Sequence, residues 1–177
     1  MQLAAATPVP TLRIFISSGD DAADLRERVA GLIEKAVNSQ LRQLDIDLQL
    51  LVDRWEDTAP DTNEAGERTN ERFVKRALDC DLTLALLLKK LGPGTREEIE
   101  ATLNAGKELK VLWFVPKRSK PRSQVAKFLE PLGERIYYDK TGKPEDDESW
   151  HGIVRVLLQI VLGELRQRGE GLHHEQR

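Results

Sequence analysis

The chain is poor in the residues that would place it in several common classes. It has one cysteine, Cys80, among 177 residues. That excludes an internal disulfide framework and a cysteine-based zinc cluster. Histidines number three, and no set of His, Asp and Cys has metal-ligand spacing, so no metal is expected. No Ser/His/Asp or Cys/His set suggests nucleophilic catalysis. There is no basic excess: the formal net charge is -3 and the pI about 5.7. A nucleic-acid binder is usually basic, so no nucleic-acid partner is expected. No apolar run is long enough to span a bilayer. Residues 1–10 lack the basic start and long apolar core of a signal peptide. The expectation is a cytoplasmic protein without a membrane partner.

What is present is a balance of 40% hydrophobic and 32% charged residues. That is the composition of a soluble globular chain, long enough to bury a core without staples. The pattern divides it into a flexible lead-in at 1–10, one α/β domain at 11–168 and a polar tail at 169–177.

Strand and helix signals alternate along the domain. Leu12, Ile14 and Ile16 alternate with Arg13 and Phe15, and the strand ends at Ser17-Ser18-Gly19. Leu25, Val29, Leu32, Ile33, Ala36, Val37, Leu41 and Leu44 then share one helical face. A second strand reads Ile46 to Val52 and stops at Asp53. Residues 54–68 read as a loop entering a helix that carries Phe73, Val74, Ala77 and Leu78. Leu82 to Leu88 is continuously apolar, as a strand covered on both faces must be. A Gly92-Pro93-Gly94 turn leads to a helix from Thr95 to about Asn104. Leu109 to Val115 and Arg135 to Tyr138 complete the strands. A last helix carries Trp150, Ile153, Val154, Leu157, Leu158, Val161, Leu162 and Leu165. Alternation of this kind predicts a flavodoxin-like three-layer sandwich with a roughly five-stranded parallel sheet.

In such a sheet ligands bind beyond the carboxyl ends of the strands. Ser17, Ser18 and Gly19 stand there, before a helix. Their backbone N–H groups and hydroxyls suit a ribose or phosphate, and Ser18 alternatively serves as a helix N-cap. Neither a Walker loop nor a GxGxxG fingerprint is present. Trp55 either stacks on a flat base or packs on the rim, and Asp53 or Glu56 could take a ribose hydroxyl. Gly92 and Gly94 let a ligand approach the backbone. Thr95 and Glu98 form a Thr-x-x-Glu capping-box pattern. The other reading of Glu98 is a carboxylate at the mouth of the cleft, placed to stabilise or attack a ribosyl cation. Glu97 and Glu100 read as a solvated face, the basic run Lys117 to Arg122 as a solvated turn, His151 as helix packing and Cys80 as core.

These segments together carry a resemblance. Arg13-Ile14-Phe15-Ile16-Ser17-Ser18 resembles the "VFISS" opening strand of bacterial TIR-like domains. Trp55-Glu56-Asp57 with Pro60 is similar to "WED..P", and Cys80-Asp81 to the "CD" before the third strand. Gly94-Thr95-Arg96-Glu97-Glu98-Ile99-Glu100-Ala101 resembles "GTxEEIExA", followed by Gly106-Lys107 and a "vlwFv" strand. The match covers roughly residues 11–116, with a short segment between Leu88 and Gly94. The resemblance implies a TIR-like fold in a bacterial defence or signalling protein. It implies a helix-start glutamate acting on an N-glycosidic bond: Glu98, with Glu97 as the fallback. NAD+ or a related nucleotide would be the substrate, held by Ser17, Ser18, Gly19, Trp55, Gly94 and Thr95. Self-association or a partner signalling module is expected. Two alternatives are a TIR-type assembly domain without enzymatic activity and an enzyme similar to nucleoside deoxyribosyltransferases.

Overall fold

A computed structural model describes residues 9–54, 69–88, 90–114, 124–139 and 147–174. Its strands are β1 (Thr11–Ser18), β2 (Gln49–Asp53), β3 (Leu82–Leu87), β4 (Glu108–Phe114) and β5 (Ile136–Asp139). Helices α1 (Ala23–Gly31) and α2 (Asn38–Gln43) are joined without a break by a π-helical stretch, Leu32–Val37. The other helices are α3 (Thr69–Asp79), α4 (Pro93–Asn104), α5 (Gln124–Leu129) and α6 (Asp147–His174).

The five strands form one sheet in the order β2-β1-β3-β4-β5, and every pairing is parallel. Side chains alternate across a strand, and the core divides accordingly. On one face Leu82, Leu84 and Leu86 of β3 join Leu12, Ile14 and Ile16 of β1 under α1, the π stretch and α6. On the other, Ala85 and Leu87 pack with Val111 and Trp113 under Ile99 of α4 and Val125 and Leu129 of α5. Phe15 meets Ala77 and Cys80 there, with Phe73 of α3 against them. All six β3 residues are buried. This is the flavodoxin-like three-layer α/β arrangement that the strand–helix alternation predicts.

Two stretches differ from the sequence expectation. The π stretch changes the helical phase, and Leu32 and Ala36 are only partly buried; Leu44 follows the end of α2 and is 58% exposed. The polar residues from Gly169 to His174 are helical and not a separate tail. An established helix extends at one hydrogen bond per residue without a new nucleus. No helix among the described residues is long and apolar enough to cross a membrane.

The edge strand β2 is closed by a side chain. Asn38, 7% exposed at the start of α2, receives the Leu50 N–H on Oδ1 at 2.8 Å and donates Nδ2 to the Leu50 carbonyl at 3.1 Å. Both Leu50 groups point away from β1, so one amide takes the place of a neighbouring strand at that point.

Candidate active site

The carboxyl end of β1 carries two serines that point to opposite faces. Ser17 is 1% exposed, and its Oγ donates to Oε2 of Glu98 on α4. The Ser18 hydroxyl accepts from Nη1 of Arg26 on α1. Gly19, not Ser18, caps the following 3-10 turn, so the N-cap reading of Ser18 does not hold.

The capping-box reading of Thr95 and Glu98 also fails. Helix α4 starts two residues earlier than expected, with Gly92 as N-cap and Pro93 in the first turn. Proline suits that place because its fixed φ is helical and its missing N–H would have had no partner there. Thr95 is therefore inside the helix, and the Glu98 carboxyl turns to Ser17. Thr102 Oγ1 donates to the Glu98 carbonyl at 2.7 Å and lies 3.2 Å from Thr83 Oγ1 of β3. These contacts tie the Glu98 peptide to the sheet.

Between these elements lies a cleft of about 330 Å³. Ser18, Gly19, Gly94, Thr95, Glu98 and Arg26 line it. Phe15, Phe73 and Asn70 form the wall on the α3 side. Gly94 lies against Asn70: a Cβ there would stand 3.4 Å from Asn70 Oδ1. Glu98 is 8% exposed, and its carboxyl is pushed up from 4.5 to about 7. Loss of hydration is the main cause. The Ser17 hydrogen bond and the nearby Arg26 charge oppose the rise, and neighbouring Glu97 adds to it. A carboxyl balanced near neutrality in a cleft at the strand ends is a mark of a functional site.

The structure thus brings Ser18, Gly19, Gly94, Thr95 and Glu98 into one cleft. It places Ser17 behind Glu98, outside the lining, with its hydroxyl on the carboxylate. Glu97 is exposed and does not line the cleft. Trp55, Glu56 and the basic run Lys117 to Arg122 lie outside the described residues. Asp53, the last residue of β2, is held by Arg13 and Arg76 and does not line the cleft. Cys80 is buried, and its thiol is pushed up to about 11, chiefly by burial. Arg26 is the site residue that sequence reasoning missed. It is 2% exposed, and its signal was a charge at position 26 of the stripe continued by Val29, Ala30 and Ile33.

No family model and no curated protein matches the chain. Among solved structures, a conserved protein from Enterococcus faecalis V583 is 17% identical with a TM-score of 0.44, covering 89% of this chain and 99% of its own. A quinone reductase-like protein from Klebsiella pneumoniae is 10% identical with a TM-score of 0.46, covering 85% and 83%. Likenesses this distant say nothing about what the cleft does.

Proposed function

We propose that the chain is a TIR-like enzyme that hydrolyses the nicotinamide–ribose bond of NAD+, with Glu98 as the catalytic residue. The observation that carries this reading is the buried Glu98 carboxyl, fixed in a cleft at the carboxyl ends of the strands. The sequence resemblance over residues 11–116 supports it.

The chemistry suits a single carboxylate. Nicotinamide is bound to ribose as a pyridinium, so it leaves neutral when it takes the bond's electron pair and needs no proton. Cleavage leaves positive charge on the anomeric carbon. Ionised Glu98 opposes that charge, or adds to the carbon as a transient ester. Water then adds its oxygen to the carbon and releases a proton, giving ADP-ribose and regenerating the carboxylate. A neutral purine or pyrimidine needs an acid to protonate it as it leaves. Among the described cleft residues Glu98 is the buried carboxyl, and Asp20 is exposed. The nucleoside-processing alternative is the poorer fit for that reason. Ser18, Gly19, Gly94 and Thr95 hold the ribose and phosphates in this reading, and Phe73 flanks the leaving ring.

The active form is ionised Glu98. Nicotinamide release is expected to rise about tenfold per pH unit below about pH 6 and to level off above about pH 8. The midpoint should lie near 7. A profile flat from pH 5 to pH 9 would contradict this role. Gly94→Leu should raise KM for NAD+ by about tenfold or more, because the side chain fills the space against Asn70. Steady-state kinetics at pH 8 read both values.

A further inference from the structure

We propose that Ser17 is a positioning residue, one that orients the Glu98 carboxylate and sets the pH at which it is charged, and not a residue that binds substrate. The inference rests on the reading of Glu98 as the catalytic carboxylate.

Placement carries it. Ser17 and Ser18 are neighbours on one strand, yet only Ser18 lines the cleft. Ser17 is sealed behind Glu98 and donates its hydroxyl to Oε2. The Glu98 peptide is already fixed from β3 through Thr102 and Thr83. What Ser17 adds is control of the side chain: which way the carboxylate faces, and a donor that favours its charged form. The other charged groups around Glu98 are Arg26 from α1, which favours the charge, the neighbouring Glu97 on α4, which opposes it, and the exposed Asp20, which follows β1 and lines the same cleft; Thr95 and Asn70 are the uncharged polar groups there. Burial works against the charge throughout, so losing the Ser17 donor is expected to leave the carboxyl protonated to a higher pH.

The test is Ser17→Ala beside Ser17→Thr. In Ser17→Ala the midpoint of the pH–kcat profile is expected to move up by about one pH unit, the weight of one hydrogen bond to a charged group. KM for NAD+ should stay within about twofold of the wild type, and Ser17→Thr should restore the midpoint. A raised KM with an unmoved midpoint would return Ser17 to substrate binding and overturn the proposal. A second readout needs no turnover: the carbon NMR titration of the Glu98 carboxyl, identified by its loss in Glu98→Gln. An unmoved Glu98 titration in Ser17→Ala overturns the proposal whatever the turnover. A titration that moves in a protein releasing no nicotinamide upholds the Ser17 role and removes the NAD+ reading instead. Should the alanine variant fail to fold, Ser17→Cys keeps the volume with a weaker donor and is read in the same way.

Discussion

Glu98→Gln is expected to stop turnover and, at pH 8, to make the folded chain more stable. The two effects share one cause. Glu98 is buried, and its carboxyl releases its proton near 7 in the folded chain against 4.5 unperturbed. The folded state therefore holds the proton more tightly than the unfolded state. Stability is fully present below about 4.5 and falls as the pH rises towards 7, because the unfolded chain ionises while folded Glu98 still holds its proton; above about 7 the buried charge forms and the loss levels off. By pH 8 that charge costs about 3 kcal/mol, since each tenfold difference in proton affinity between the two states corresponds to about 1.4 kcal/mol. Glutamine keeps the shape and an oxygen for Ser17 but never ionises. Urea unfolding should show Glu98→Gln more stable than wild type by about 1–3 kcal/mol at pH 8, with the difference shrinking to about a quarter of that at pH 5 and to near zero by about pH 4. Nicotinamide release should fall by about a thousandfold or more. A variant no more stable at pH 8 than at pH 5, relative to wild type, would contradict the buried carboxylate. Strain kept for function is the pattern expected of an active site.

Asn38→Ala is expected to have the largest destabilising effect among polar substitutions on the α1–α2 side. The native amide satisfies the Leu50 N–H and C=O together, at 2.8 and 3.1 Å, and also donates to the Glu34 carbonyl at 3.2 Å. Alanine leaves both Leu50 groups buried and unpaired. Each orphaned group costs about 1–3 kcal/mol, so a loss of about 2–6 kcal/mol follows. Asn38→Asp should do at least as much harm, because a carboxylate oxygen would face the Leu50 carbonyl. An unpaired edge is also a template for another strand. Light scattering of Asn38→Ala should therefore rise more steeply with concentration than that of wild type. A stability loss below about 0.5 kcal/mol would show that β2 does not depend on this amide.

The fold was legible where hydrophobic pattern alone decides it. The continuous apolar run Leu82 to Leu88 reads as a strand covered on both faces, which the structure places at Leu82–Leu87, and the alternation of strands with helices points to the layers. The site was legible in part. Glu98 stood out as a carboxylate at a helix start, but its partner could not be found from local spacing. Thr95 three residues earlier suggested a cap, whereas Ser17 lies 81 positions away. Long-range hydrogen bonds leave no trace in local pattern. Pro93 was the overlooked signal: it marks the first turn of α4 and moves Thr95 inside the helix. Arg26 and Asn38 were polar residues within an apolar stripe, and both turn out to be buried and bonded. A polar residue in such a place needs a partner, which the structure supplies as Ser18 and the Leu50 backbone.

The most direct test of the central claim follows nicotinamide release from NAD+ by the purified chain at high protein concentration with a crowding agent, beside Glu98→Gln confirmed to be folded. Release by wild type and none by Glu98→Gln is the predicted result. Release that survives in Glu98→Gln, or no release and no NAD+ binding by wild type, would contradict it and leave the assembly-domain reading in its place.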